Sequence, residues 1–229
     1  MTEKKGFDLG TVIDDAKRVV LDPAGFYGRM SRSGGYAEPL IFTIVLGVIA
    51  GIVAGAGSVL FGGFRIGMGL GLGAIIALPI MAIIFSFVGG AVMFVIWKLM
   101  GSSEGFHVAW RCVAYSFGAW PLMMLAQWVP YLGSLVAAAL FYWLMFHASV
   151  QVHGIAESRS RLVIGVLAGV LFLMNLSSER SARIMDERME QFGQQMGSQL
   201  DNLENMSPEE AGEAVGQFLK GLENATKEE

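Results

Sequence analysis

Long runs without a charged residue fill the middle of the chain, from Pro39 to Ser178. They cover residues 39–64, 66–97, 112–156 and 162–178, and they are 26, 32, 45 and 17 residues long. One helical crossing of a bilayer needs about 20 predominantly apolar residues, so the 45-residue run has to hold two crossings. The pattern therefore predicts an all-α fold, a polytopic membrane helix bundle with five transmembrane helices.

A turn inside the longest run is marked by residues that break helices. Pro130 and Gly133 lie beside Trp128 and Tyr131, whose rings suit the interface between membrane and water. This arrangement predicts that the third crossing ends before Pro130 and that the fourth begins after it.

The second crossing is harder to delimit. Residues 62–73 are rich in glycine, which costs a helix about 1 kcal/mol per residue relative to alanine. This favours a loose turn or half-helix there and a crossing of about Gly73–Trp97, with a kink at Pro79. A re-entrant break near Pro79 is the alternative, and it would make the number of crossings even.

Small residues recur at helical spacing in two of the crossings. Gly47, Gly51 and Gly55 form a glycine zipper on one face of the first crossing, and Gly165 and Gly169 repeat the spacing in the fifth. In a bilayer such faces let two helix backbones approach closely. We interpret them as packing within the bundle, while a homo-oligomer contact and a flexible gating helix stay open.

The ends of the chain divide it into three parts. We expect a cytoplasmic segment at 1–38, a transmembrane domain at 39–177 and an acidic tail at 178–229. Segment 1–38 carries an apolar stripe at helical spacing, which predicts an amphipathic helix that ends before Asp22. The stripe consists of Phe7, Val12, Ile13, Ala16, Val19 and Val20.

The tail also has an amphipathic helical pattern. A heptad-like seam is followed at Ser207 by a capping sequence that restarts a helix. The seam consists of Met185, Met189, Phe192, Met196, Leu203 and Met206. Residues 185–222 are a candidate surface for a protein partner, and packing of the last helix against the first is an equal alternative.

Charge and composition narrow the class of protein. The chain is 54% hydrophobic with a mean hydropathy of +0.53, and twelve acidic against five basic residues lie in 179–229. An acidic tail argues against nucleic acid as a partner. The lone Cys112 excludes a disulfide within the chain. We predict no cofactor and no enzyme activity, because no nucleophile–base set or phosphate-binding loop is present.

Basic residues beside the crossings indicate the orientation. With the N-terminus inside, nearly all of them lie on the cytoplasmic side, and Arg65 lies in an external loop. Arg180, Arg183 and Arg188 in the tail count against the rule. We expect a bacterial cytoplasmic (inner) membrane protein with its N-terminus inside.

One polar cluster stands out against the apolar background. The expected topology brings the start of the third crossing and the end of the fourth to the same depth. The cluster consists of His107, Arg111, His147, Gln151 and His153. It is read as ordinary interfacial anchoring, as a lipid-headgroup or proton site, or, with the weakest support, as a metal site.

Three stretches of the chain resemble the Yip family, the Ypt-interacting proteins. They are the segment from Val20 to Phe42 with Asp22-Pro23-Ala24-Gly25-Phe26-Tyr27, then Ala114-Tyr115-Ser116 with Pro121, then Val129 to Gly133 through His153-Gly154. The resemblance implies a cytoplasmic N-terminus and a five-helix bundle. Eukaryotic members are tied to Rab GTPases, whereas bacterial members mostly lack an assigned activity, and this chain looks like the bacterial type. The Asp22–Gly25 motif and the Tyr115-to-Pro121 spacing depart from the eukaryotic pattern, which counts against Rab binding.

Two functions fit these observations. The first is a non-enzymatic membrane adaptor, scaffold or accessory subunit, with membrane lipids, further copies of itself or a larger membrane complex as partners. The alternative is a lipid- or solute-handling protein, such as a channel, permease or lipid mover, which uses the polar cluster.

Overall fold

The computed structural model describes residues 9–62, 64–204 and 216, and this part of the chain is helical with no strand. The α-helices are α1 Leu9–Leu21, α2 Pro23–Arg29, α3 Ala37–Gly62, α4 Phe64–Leu99, α5 Phe106–Ser116, α6 Trp120–Ala126, α7 Leu132–Gln151 and α8 Glu157–Glu204. A short 3-10 helix, Phe117–Ala119, links α5 to α6. The chain divides into two compact units, Met1–Leu176 and Ser177–Glu229.

Four helices are long and apolar enough to cross a membrane. Their spans are Ala37–Phe61, Gly71–Leu99, Leu132–Gln151 and Glu157–Ala182. They coincide with the first, second, fourth and fifth predicted crossings, so the prediction of a multi-pass helical membrane protein is confirmed. The exact number of five does not follow from helix length alone.

The predicted third crossing is an interrupted helix. It consists of α5, the 3-10 helix and α6, none of which is long enough by itself to span a bilayer. Pro121 explains the break, because it has no N–H to donate to the carbonyl of Phe117 one turn earlier. Together the three pieces cover 106–126, which is about 30 Å of helix at 1.5 Å per residue.

Two aromatic contacts show where this interrupted helix ends. Trp128, just after α6, packs edge-on against Phe61 with 6.0 Å between ring centroids. The indole nitrogen of Trp128 also fills the space where Gly57 would carry a side chain. The turn around Pro130 therefore lies beside the far end of α3.

Helices α3 and α4 approach each other along the glycine face of α3. A Cβ atom at Gly47 would lie 2.7 Å from the Pro79 Cα, and one at Gly51 would lie 2.8 Å from the Ala74 carbonyl oxygen. Such distances are shorter than van der Waals contact, so a larger residue would push the helices apart. A Cβ atom added at Gly169 in α8 would have no described atom from another part of the chain within 4 Å.

The glycine-rich stretch differs from the expected loose turn. Helix α4 begins at Phe64 and continues through Pro79. A Cβ atom at Gly55 would lie 3.1 Å from the Gly71 Cα, so the two backbones touch at this point. Close packing of this kind offsets the low helix propensity of glycine.

Helix α5 lies at the centre of the first unit. Eight consecutive residues of α5, 108–115, are buried. Helix α1 buries Val12, Ala16 and Val19, three residues of the predicted amphipathic stripe, and packs beside it. The start of that stripe at Phe7 lies outside the described residues.

The described part of the second unit is helical. Met185, Met189 and Phe192 of the seam are exposed there. The side chains of the later seam residues and the helix start at Ser207 lie outside the part of the chain that the structure describes.

Candidate functional site

Three connecting segments meet at the end of the bundle where α3, α5 and α8 begin. We call them the polar layer, which consists of residues 30–36, 100–105 and 152–156. Arg32 holds two of its neighbours, with Nη1 2.9 Å from Glu104 Oε1 and Nη2 3.3 Å from the Gln151 carbonyl oxygen. Arg159 Nη1 donates to the Met100 carbonyl oxygen over 2.8 Å. The Arg32 bonds tie the segment before α5 and the end of α7 to the chain entering α3, and the Arg159 bond ties α8 to the turn after α4.

Arg111 is the most deeply buried charge in the described part of the chain. Its side chain is 1% exposed, and Nη1 donates to the Gly35 carbonyl oxygen over 2.8 Å. Nη2 lies 3.4 Å from Glu38 Oε2, but Glu38 is 71% exposed, so solvent screens that pair. The Nε atom has no hydrogen-bond partner among the described residues. The Arg111 side chain therefore mainly connects α5 to the segment that leads into α3.

His107 supports the same segment one turn earlier in α5. Its ring packs edge-on against Tyr36, with 4.6 Å between centroids. Tyr36 also packs on Trp110 at 4.9 Å. His107 and Arg111 thus share a helical face, as predicted from their spacing, and both contact residues 34–38.

His153 lies in a different, buried environment. Its ring stacks on Trp97 with 3.9 Å between centroids, and Nδ1 is 2.8 Å from Ser102 Oγ. Nε2 lies 4.0 Å from Cys112 Sγ on α5. Burial, together with the positive charges of Arg32 and Lys98, lowers the pKa of His153 from 6.5 to about 4. His153 is therefore neutral at pH 7.

His147 and Gln151 lie apart from the other three. The His147 ring packs against Trp143 at 4.4 Å, and its Nε2 is buried with no hydrogen-bond partner within the described chain. The Gln151 residue is exposed, and its backbone carbonyl accepts the bond from Arg32. The five cluster residues therefore share one end of the bundle but occupy three separate environments.

Two apolar cavities lie elsewhere on the bundle. One of about 420 Å³ lies between α1, α3 and α6, and one of about 330 Å³ lies between α4 and α8. None of the five cluster residues lines either cavity. Within the described chain no three His, Cys, Asp or Glu residues are placed to hold a metal ion.

The residues of the first motif, Asp22–Tyr27, dock α2 on α5. Asp22 Oδ1 caps α2 by accepting from the Gly25 N–H over 3.0 Å, and Pro23 occupies the first turn. Tyr27 donates from its hydroxyl to the Cys112 carbonyl oxygen over 3.1 Å. Burial raises the pKa of Tyr27 well above its usual value, so the hydroxyl stays protonated and remains a donor.

The second motif lies directly beside this contact. Thr43 Oγ1 lies 2.8 Å from the Pro39 carbonyl oxygen and 3.2 Å from the Ala114 carbonyl oxygen, and the Tyr115 ring packs edge-on against Phe26 and Phe42, each at 5.1 Å. A family model, the Yip1 domain, matches residues 17–178. The chain belongs to the Yip1 family. This confirms the resemblance drawn from the motifs.

The Yip1 domain covers the last five residues of α1, all of α2 to α7 and the membrane span of α8 up to residue 178. No curated protein and no solved structure matches the chain. Membership of the Yip1 family and the apolar helices together identify a multi-pass integral membrane protein. The Yip1 family is not a known enzyme family.

Sequence reasoning did not find several residues that hold the polar layer together. Arg32, Glu104 and Ser102 lie in short polar segments whose partners are distant in the chain. Trp97 donates to Ser149 Oγ over 2.7 Å across two helices. The sequence signal for this bond was a tryptophan and a serine within uncharged runs. A buried indole N–H needs an acceptor, and a serine hydroxyl can provide one.

Proposed function

We propose that this Yip1-family protein is a non-enzymatic membrane adaptor or scaffold, or an accessory subunit of a membrane complex. The polar contacts of the first unit carry the proposal. Arg32, Arg111 and His153 are engaged by backbone and side-chain groups of the same chain. Charged and polar groups used in this way stabilise a closed bundle, whereas a conducting or transporting protein needs them along a water-filled path.

Five crossings are part of this proposal. The interrupted helix α5–α6 starts in the polar layer, and Trp128 after it lies against the far end of α3. About 30 Å of helix is the thickness of the hydrocarbon core. Burial of α5 among other helices supplies hydrogen-bond partners for a break that lipid would not tolerate.

The proposed location is a bacterial cytoplasmic membrane with the N-terminus inside. Lys and Arg flank the crossings on the side of the polar layer, including Arg32, Lys98, Arg111 and Arg159. We also retain the division into a segment 1–38, a membrane domain 39–177 and a tail 178–229.

The tail is the proposed surface for a protein partner, through residues 185–222. Met185, Met189 and Phe192 are exposed on the described helix. Large apolar side chains at heptad spacing are typical of a surface that a second helix covers.

A pair of matched variants tests the adaptor proposal. Met189→Glu places a charge on the seam, and Gln191→Glu places the same charge off it. Native mass spectrometry of protein extracted gently from its own membrane should show an assembly heavier than the single chain. We expect Met189→Glu to reduce that assembly and Gln191→Glu to preserve it. Equal masses for both variants and the wild type would reject docking through the tail.

The lipid- or solute-handling alternative has its own test. Liposomes containing the protein should show no ion, proton or lipid transfer above protein-free liposomes if the adaptor proposal is right. A transfer activity that disappears in Arg111→Gln and His147→Gln would instead establish the alternative.

A further inference from the structure

A groove opens between α4 and α8 at the polar-layer end of these two membrane spans. Its volume is about 330 Å³, which is within the usual range for small-ligand sites. Helix α4 contributes Ile96 and Leu99, the turn after it contributes Met100, and helix α8 contributes Arg159, Val163 and Leu167. One end of the groove is charged and the remainder is apolar.

The α8 side of the groove is a single stripe of residues. Arg159, Val163 and Leu167 are spaced by four, so they lie above one another on one helical face. Arg159 is in the first turn of α8, next to the polar layer, and Leu167 lies two turns further into the span. The polarity of the groove therefore changes along the same direction as that of a lipid, from headgroup to acyl chain.

Arg159 is held at the mouth of the groove. Its Nη1 donates to the Met100 carbonyl oxygen over 2.8 Å. A guanidinium has five N–H donors, so the bond to Met100 fixes the group and leaves donors for a second acceptor. A phosphate oxygen is the acceptor that arginine binds most strongly at a membrane surface.

The charges around the mouth also favour an anion. Lys98 is exposed at the end of α4 and donates to the Ser103 carbonyl oxygen over 3.2 Å. The acidic neighbours are already paired, Glu104 with Arg32 at 2.9 Å and Glu157 with Arg161 at 3.7 Å. The mouth therefore carries a positive balance.

The groove is also open to the bilayer. Leu99 on one flank is 83% exposed, and Leu162 next to the other flank is 68% exposed. Side chains this apolar and this accessible at a span terminus face lipid in a membrane protein.

We propose that the groove between α4 and α8 binds one anionic phospholipid, whose phosphate is held by Arg159 and one of whose acyl chains lies along Val163 and Leu167. The site is independent of the adaptor proposal, because it uses neither the tail nor the predicted polar cluster. Its consequence is that the protein carries a specific lipid at the junction of α4 and α8.

Native mass spectrometry of the purified full-length protein tests this site. The protein is mixed in a mild detergent with phosphatidylglycerol or with phosphatidylcholine of the same acyl chains. We expect one phosphatidylglycerol molecule to be retained in preference to phosphatidylcholine. Arg159→Gln should weaken retention of phosphatidylglycerol about tenfold, the effect of losing one charge-assisted hydrogen bond. Arg159→Lys should keep the preference for phosphatidylglycerol.

Two further variants separate the site from general charge effects. Arg161→Gln removes the same charge from a residue that does not line the groove; because it also frees Glu157, it should weaken retention, but much less than Arg159→Gln does. Val163→Trp fills the groove and should reduce retention of both lipids. Equal losses in Arg159→Gln and Arg161→Gln, or full retention in Val163→Trp, would overturn the proposal. A dimer that Val163→Trp dissociates would also overturn it, because a second copy would then occupy the groove.

Discussion

Helices α5 and α8 differ in how the polarity of their residues relates to their burial in the bundle. The span of α8 is uncharged from Leu162 to Ser178, and most of its side chains are exposed. Helix α5 carries His107, Arg111 and Cys112, yet residues 108–115 are all buried at the centre of the bundle. An apolar segment is therefore at the periphery here, and a more polar one is in the middle.

This difference follows from what surrounds each helix, which is lipid for α8 and protein for α5. A helix that faces lipid has to be apolar all round, because acyl chains offer no hydrogen-bond partners. A segment surrounded by protein can keep polar groups when neighbours bind them, as Gly35 binds Arg111 on α5 and Ser102 binds His153 after α7. The apolar character of a segment in this protein therefore does not show that the segment lies at the centre of the bundle.

The largest effect is expected from removing the buried charge of α5. Arg111→Ala should lower the free energy of unfolding by about 4 kcal/mol, because it deletes a charge-assisted hydrogen bond and a buried side chain. Arg161→Ala on α8 removes an exposed ion pair and should cost less than about 1 kcal/mol. Chemical unfolding in detergent micelles measures both. Equal losses would show that the burial of α5 does not distinguish the two helices.

A smaller effect is expected from protonating His153, which contacts α5 through Cys112. The folded pKa of about 4 lies below the ordinary value of 6.5, so the unfolded chain binds the proton more tightly. The stabilisation is complete above pH 6.5 and is lost as the pH falls towards 4, by about 3 kcal/mol in all. The free energy of unfolding is measured across this pH range for the wild type and for His153→Gln. The difference between the two profiles gives the contribution of His153. A wild-type profile parallel to that of the variant would contradict it.

The smallest of the three effects concerns glycine. Gly51→Ala should destabilise by about 2 kcal/mol, since the new methyl group would overlap the α4 backbone at Ala74. Gly169→Ala on α8 meets no atom within 4 Å and should be neutral or slightly stabilising through helix propensity. Thermal unfolding of the two variants in the same detergent compares them. Destabilisation by Gly169→Ala would indicate a partner on that face.

Much of the fold could be predicted from the chain because lipid imposes a strong length rule on uncharged runs. The spans of α3, α4, α7 and α8 and the turn at Pro130 follow from that rule. The interruption at Phe117–Ala119 does not, because the missing N–H of Pro121 can be accommodated by a kink or by a break. Only tertiary packing decides between them.

The sequence predicts a polar cluster at one end of the helices, but it does not predict the contacts that the cluster residues make. Periodicity placed His107 and Arg111 on one face and brought His153 to the same end. Their partners, the Gly35 carbonyl and the Ser102 hydroxyl, lie on connecting segments that carry no periodic pattern. The contacts therefore depend on loop conformation, which residue spacing does not encode.

We propose that the interrupted helix α5–α6 crosses the membrane as the third of five helices. Ser103→Cys precedes it and Val129→Cys follows it, and both positions are exposed, while Cys112 is fully buried. Each variant is treated in intact cells with a maleimide that does not cross the membrane. We predict that position 129 is labelled in intact cells and that position 103 is labelled only after permeabilisation. Labelling of both positions from the same side would show that α5–α6 does not cross the membrane.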